Sequence, residues 1–347
     1  MRFERVCIEA VAHVLPDEVV TSDQIEARLA PLYDRLRLPA GRLELMSGIR
    51  ERRFFPAGTA PGDISIRSGE LAISRSGLPR EAFGLCVHGS VCRDCLEPAT
   101  ACRVHHALGL PGECIVQDVS NACLGVLSGM LQGAAMIELG LVDAALVVGT
   151  ECGRELVDNT IDALNRDASL SRATVKDSFA SLTIGSASAA VVLCHERLSR
   201  TGTRLLAAAS QADTRHHALC RSHGHQQVMS TDSESLMRAG VAAGGVTFER
   251  LLAESGWPRG AIDRTFCHQV GGAHRKMMLG ELGLPLERDY ATFDRLGNTG
   301  AAALPSALSM GLAEGLVQAG DRVALLGIGS GVNCLMMAAQ WGDTPPG

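Results

Sequence analysis

The chain has 347 residues, 46% of them apolar and 20% charged, and a net charge of −6. That length supports one large core or two medium ones. The acidic balance and the 3% aromatic content exclude a general nucleic-acid or membrane-surface binder, which needs a basic stripe or stacking platforms.

The opening Met1-Arg2-Phe3-Glu4-Arg5 leads into a strand-like stretch rather than the apolar core of a signal peptide. Polar or Gly residues interrupt every apolar run, so no membrane span is expected, and the expected location is cytoplasmic. The 12 cysteines are scattered through segments such as Leu85-Cys86-Val87, and in a reducing compartment most read as small buried hydrophobes.

Taken in order, Phe83–His88 reads as a buried strand. Ile115–Asp118 reads as a second strand, leading through a polar loop into a small-residue helix from Cys123 to Met136. Asp143–Gly149 and Ala189–Leu193 are further strands. Between them, Thr150 to Thr183 is polar and charged (Arg154, Glu155, Asp158, Asn165, Arg166, Asp167) and is expected to be a surface loop or lid. The pattern then returns. Arg264–His268 and Tyr290–Asp294 read as strands, the latter leading into a small-residue helix from Gly300 to Ala313. Asp321–Gly327 and Leu335–Ala339 are the last two strands.

Three of these elements recur at nearly one spacing. Val87 to Cys267, Asp118 to Asp294 and Asp143 to Asp321 are offset by 180, 176 and 178 residues. A constant shift over three elements is what an internal duplication produces. The halves are 1–195 and 196–347, the first enlarged by the insert at about 150–183. Strands alternating with helices predict a layered α/β fold, with the two small-residue helices between sheets.

Cys123 stands where a buried strand has ended and a helix begins. Backbone N–H groups and the helix dipole at that place favour a thiolate, a competent nucleophile for an acyl carbonyl. Asn298 opens the corresponding helix of the second half, so its loop is the pseudo-symmetry mate of the Cys123 loop. His268 ends the strand that matches Phe83–His88. A two-fold arrangement would bring Cys123, His268 and Asn298 together.

The segments Asn-Ala-Cys123-Leu-Gly, His268-Gln-Val and Gly-Asn298-Thr-Gly-Ala-Ala resemble the Cys–His–Asn triad of the ketoacyl-ACP synthase III group. Ser47-Gly-Ile-Arg-Glu-Arg-Arg53 is similar to that group's early signature, and the resemblance runs from about residue 4 to 342. It implies the five-layer αβαβα thiolase fold and a homodimer. Within the group, Ser90–Thr100, Asp118–Leu124 and Ala324–Cys334 most resemble the OleA family of acyl-CoA condensing enzymes. That likeness gives Glu97 a role: it reaches across the dimer as the base for an α-proton.

The activity so implied is non-decarboxylative Claisen condensation of two fatty acyl thioesters through an acyl-Cys123 intermediate. Decarboxylative condensation needs no such base, whereas α-proton removal does. An oxyanion hole is expected from the backbone at Cys123 and the Gly329-Ser330-Gly331 turn. No cofactor is expected beyond CoA as the substrate's carrier. The expected partners are acyl-CoA or acyl carrier protein and, downstream, lipid-pathway enzymes. Two alternatives stay open, a decarboxylative reaction with a malonyl carrier and acyl transfer to a hydroxyl or amine. A non-catalytic partner subunit is a weak reading, because the nucleophile is kept.

Two further patterns are weighed. His216, His217, Cys220, His223 and His225 fit no closed four-ligand zinc spacing and read as a solvated loop, with no metal expected. Cys92-x-x-Cys95 reads as incidental. Arg50, Arg52 and Arg53 are either a patch for an acidic carrier or structural.

Overall fold

The computed structural model describes residues 1–223 and 228–343. Its strands are β1 (Val6–Val14), β2 (Glu18–Thr21), β3 (Glu51–Phe54), β4 (Phe83–Gly89), β5 (Ile115–Val119), β6 (Ala144–Glu151), β7 (Ala187–His195) and β8 (Arg204–Ala212). They continue as β9 (Cys220–His223), β10 (Val228–Thr231), β11 (Arg264–Cys267), β12 (Arg322–Gly329) and β13 (Asn333–Gln340).

Nine of them line up as β11-β12-β13-β8-β1-β7-β6-β4-β5, which divides at the β8–β1 seam. There the direct pairing is Cys7 with Arg204 and an isolated bridge from Arg2 to Ala207. On either side the order mirrors itself. β5 and β6 both run parallel to β4, and β7 and β1 follow antiparallel. Across the seam β12 runs parallel to β11, and β13 and β8 follow antiparallel.

The strand pleat explains the layering, because alternate side chains face opposite sides. Leu85, Val87, Val147 and Val191 face one core, while Cys86, Leu146, Val148 and Val192 face another. In the second sheet Leu325, Leu335 and Met337 share that first core, and Leu326, Cys334 and Met336 turn outward to a third. The shared core holds the helices Gly125–Glu138 and Ala303–Ala313, which lie between the sheets. Pro61–Ser76 and Thr100–Ala107 cover the outer face of one sheet, Ser233–Ser255 and Gly272–Leu282 that of the other. The fold is the five-layer αβαβα thiolase fold. Small residues make the central layer possible: a Cβ on Gly129 would stand 2.6 Å from a Val147 methyl.

Two expectations need correction. Tyr290–Asp294 forms no strand; only Asp289 bridges Thr265 beside β11. Gln269 takes up the backbone groups that a ladder would have used. Its Nε2 donates to the Tyr290 carbonyl (2.7 Å), and its Oε1 accepts from the N–H of Thr292 (2.6 Å) and Phe293 (2.9 Å).

The segment 150–183 is also more than a loop. It contains the helix Arg154–Arg166, whose charges fall on one face while Val157, Ile161 and Leu164 are buried on the other. With Val175, Phe179 and Leu182 they pack against Ile25, Leu29, Leu32 and Leu43, forming a separate small core. Among the described residues, no helix is long and apolar enough to cross a membrane.

Candidate active site

Beyond the ends of β6 and β12 lies a cavity of about 680 Å³ that Cys123, His268 and Asn298 all line. They come from three loops. β5 ends at Val119, and the chain turns through Ser120-Asn121-Ala122 before the helix Gly125–Glu138. Ala122 has φ +45°, a left-handed conformation that a residue with a Cβ rarely adopts. The turn is held by Asn121, whose Nδ2 donates to Ser128 Oγ (3.0 Å) and whose Oδ1 accepts from Asn333 Nδ2 (3.2 Å). Gly125 then passes against Gly89 so closely that a Cβ on it would lie 2.5 Å from the Gly89 carbonyl carbon. Strain and close approach together present the Cys123 thiol to the cavity.

The electrostatics reverse one expectation. A helix start favours a thiolate, yet burial pushes the Cys123 thiol up to about 12, with the Glu151 and Cys220 charges adding to the rise. A backbone hydrogen bond at Cys123 opposes this and does not prevail. At rest, Cys123 is a thiol.

His268 follows β11 and is anchored by its backbone N–H, which donates to the Leu326 carbonyl (2.9 Å). Its side chain is buried, and its Nδ1 has no hydrogen-bond partner among the described residues. Burial, with His274 nearby, holds its pKa down to about 3. The imidazole is therefore neutral across the physiological range. The Asn298 N–H donates to the Thr183 carbonyl, and the Asn298 carbonyl accepts from the Gly185 N–H, both at 2.9 Å. Its Oδ1 accepts from the Gly300 N–H (3.0 Å), which leaves the amide's N–H₂ end for a ligand. The arrangement offers a nucleophile, a neutral imidazole and an amide donor in one largely apolar space. That suits attack on a thioester and stabilisation of the oxyanion or enolate it generates.

The remaining candidates fall into different places. Gly329 and Ser330 line the cavity, and Gly331 follows them. Asn333 ties this turn to the Cys123 loop, since its Nδ2 lies 3.5 Å from the Ser330 carbonyl and 3.2 Å from Asn121 Oδ1. Glu97 is exposed on the loop between β4 and the helix Thr100–Ala107, outside the cavity of its own chain. Val91 (52% exposed) and Leu96 (92% exposed) share that loop, and Ile115 on the neighbouring edge strand is also open.

The histidine-rich segment is not a simple solvated loop. Cys220 and Ser222 on β9, with Met229 and Thr231 on β10, form one wall of the cavity. His225 lies outside the described residues, and among those described no group of His, Cys, Asp or Glu is placed to hold a metal. Of the three arginines, Arg52 is fully buried, donating to Ser22 Oγ (3.1 Å) and the Leu182 carbonyl (3.0 Å), so it is structural. Arg53 donates to the Pro16 carbonyl at 3.0 Å.

Cys92, expected from the sequence to be incidental, lines the cavity, and so do Cys152 and Glu151, for which the sequence suggests no role; the Cys152 N–H points at Cys92 Sγ (3.3 Å). Glu151, buried at the end of β6, is the more consequential, and burial raises its pKa above the usual carboxylate value. A carboxylate closing the otherwise apolar run Ala144–Gly149 is the available signal. Apolar side chains, among them Met46, Leu156, Phe179, Met229, Met237 and Ile328, make up much of the rest.

Residues 252–341 match the family model described as 3-oxoacyl-[acyl-carrier-protein] synthase III C terminal. The chain is 40% identical to an acyl-CoA:acyl-CoA alkyltransferase of Shewanella oneidensis, covering 98% of this chain and 100% of that protein. A protein of the same name from Xanthomonas campestris is 33% identical, over 98% of this chain and 100% of the relative. Among solved structures, a cerulenin-bound Xanthomonas campestris OleA superposes with a TM-score of 0.94 at 32% identity, covering 98% of both chains. A 3-oxoacyl-(acyl carrier protein) synthase III from Xanthomonas oryzae gives 0.93 at 33% identity, covering 98% of this chain and 100% of that one. The chain belongs to the OleA-type branch of the ketoacyl synthase III-like enzymes, within the thiolase superfamily.

Proposed function

We propose that the protein joins two fatty acyl-CoA molecules by non-decarboxylative Claisen condensation. The observation that carries this reading is one largely apolar cavity holding Cys123, neutral His268 and Asn298. The likeness to proteins named acyl-CoA:acyl-CoA alkyltransferase supports it over the full chain.

In the first half-reaction Cys123 Sγ attacks the thioester carbonyl as its proton passes to His268. The tetrahedral oxyanion is met by backbone N–H groups at Cys123 and the Ser330 turn. Collapse expels the CoA thiolate, which takes the proton back, and leaves an acyl-Cys123. In the second, another acyl-CoA places its carbonyl against His268 and Asn298. A base removes an α-proton, and the enolate carbon attacks the acyl-Cys123 carbonyl. The Cys123 thiolate leaves and is reprotonated, and a 2-alkyl-3-oxoacyl-CoA is released.

Glu97 is assigned as that base, acting in the cavity of a second subunit. Its exposure and the apolar side chains on the same loop support an arm that docks on a partner in a homodimer. A cleft lined by Arg42, Arg172 and Lys176 supports an anionic carrier such as CoA, and the Arg42 guanidinium lies 5.6 Å from the ring centroid of Phe179 in the cavity wall. The enzyme works in the cytoplasm, and its product feeds lipid-pathway enzymes that act on β-keto acyl compounds.

The test uses purified protein and myristoyl-CoA as the single substrate, with products identified by mass spectrometry. A two-chain β-keto product is expected without any malonyl donor. Condensation that appears only when a malonyl carrier is added would overturn the reading, and so would transfer of the acyl group to a heteroatom alone.

A further inference from the structure

Two carboxylates line the cavity, and they differ in kind. Glu234 stands at the rim and pairs with Arg238 (2.6 Å). Glu151 is buried and forms no ion pair among the described residues. A buried carboxylate without a counter-charge is costly unless hydrogen bonds compensate it. Here backbone N–H groups do so. Glu151 Oε1 accepts from Val91 (3.1 Å) and Ala301 (3.2 Å), and Oε2 accepts from Cys92 (3.2 Å).

The owners of those N–H groups show what is being held. Val91 and Cys92 are the root of the exposed loop that carries Glu97. Ala301 lies in the turn Gly300–Ala302, directly after Asn298 and Thr299. The packing is tight, since a Cβ on Gly300 would stand 3.0 Å from the Glu151 side chain. Neighbouring bonds bind the same root to β6. Ser90 Oγ donates to the Thr150 carbonyl (2.9 Å) and accepts from its N–H (2.8 Å), and Cys92 Sγ accepts from the Cys152 N–H (3.3 Å). Beyond Cys92 the loop is largely open to solvent as far as Pro98.

We propose that Glu151 is a positioning residue for the condensation step, registering the Glu97 arm of one subunit against that subunit's own Asn298 turn. This rests on the condensation reading given above and adds a residue to it. One carboxylate thereby sets the reach of the base that serves the partner's cavity and the placement of the amide that serves its own. Acylation of Cys123 does not use the arm and is independent of this registration. A glutamine keeps the length of the side chain but turns one acceptor into a donor, facing an N–H that then has no partner.

The experiment compares wild-type homodimer with Glu151→Gln and Glu151→Asp. Acyl-Cys123 formation from a single acyl-CoA is followed by intact-protein mass spectrometry, and two-chain product is followed separately. In the Gln variant condensation should fall roughly 100-fold, the loss expected from misplacing a reacting group by about 1 Å, while acylation should not fall below the wild-type rate. The Asp variant keeps both acceptors on a shorter stem and should recover part of the condensation rate. It also supplies the result if the Gln variant fails to fold. Equal losses in both half-reactions overturn the inference, as does a Gln variant that condenses at the wild-type rate or an Asp variant no better than Gln. A wild-type enzyme that makes no two-chain product overturns the condensation reading, whereas the other failures leave that reading standing.

Discussion

The ends of β6 and β12 occupy matching places in the two sheets, yet one finishes in Glu151 and the other in Gly329. The loops that open the two central helices differ in the same way, one presenting Cys123 and the other Asn298. The first sheet thus supplies a thiol and a buried carboxylate. The second supplies a backbone turn, an amide and a neutral imidazole. Two sheets of mirrored strand order bring two loop ends to one cavity, one side carrying a thiol and the other hydrogen-bonding groups.

The largest effect should come from the nucleophile's side. Cys123→Ala should lower condensation by about 10⁴-fold or more, as loss of a nucleophile does in other acyl-transfer enzymes, with no acyl-enzyme visible by mass spectrometry. On the donor side, Asn298→Ala should reduce condensation by about 10²- to 10³-fold, the range for removing one oxyanion donor. Single-turnover kinetics should show acyl-Cys123 accumulating in that variant. If acyl-Cys123 formation falls as far as condensation does, the division of labour between the sheets is wrong.

A third test concerns charge. Glu151 is one of the groups that raise the Cys123 pKa, second to burial. Neutralising it in Glu151→Gln should lower that pKa, so alkylation of Cys123 by iodoacetamide at about pH 8, just below the usual thiol pKa, should quicken. An unchanged pH profile of alkylation would show that the carboxylate's charge does not reach the thiol.

The fourth follows from the imidazoles on the other side. Burial holds His268 down to about 3 and His274 to about 4. The unfolded chain takes up these protons below about pH 6.5, so there it binds more protons than the folded protein. Both groups therefore make stability fall as pH drops from about 6.5 through 4 and towards 3. Thermal melts of His274→Gln should show a shallower decline across that window than the wild type. The smallest effect is expected at Ala122. Glycine tolerates φ +45° but gains freedom when unfolded, so Ala122→Gly should change stability by no more than about 1 kcal/mol in chemical denaturation.

Strands and central helices are legible in the sequence because their apolar runs are long and recur at one offset, and the same offset points to a convergence of Cys123 and Asn298. The structure places both, with His268, at one cavity. What the sequence hides depends on side chains replacing backbone pairing or on long-range packing. Gln269 substitutes for a strand at 290–294, and no local pattern announces that. The helix Arg154–Arg166 hides its apolar face among charges, and its partners Ile25, Leu29 and Leu32 lie far earlier in the chain. Glu151 escapes because its meaning comes from N–H groups of Val91, Cys92 and Ala301, none of them near it in sequence. The pKa of Cys123 is misjudged from the helix start because burial outweighs it.

The central claim is that a carbon–carbon bond forms on an acyl group carried by Cys123. Enzyme acylated on Cys123 with a chain of one length, freed of excess substrate and mixed with acyl-CoA of another length, tests it in a single turnover. The account predicts a mixed two-chain product in which the keto carbon comes from the preloaded chain, identified by fragmentation mass spectrometry. A mixed product with the order of the chains reversed, or release of the preloaded chain only as free acid, would contradict it.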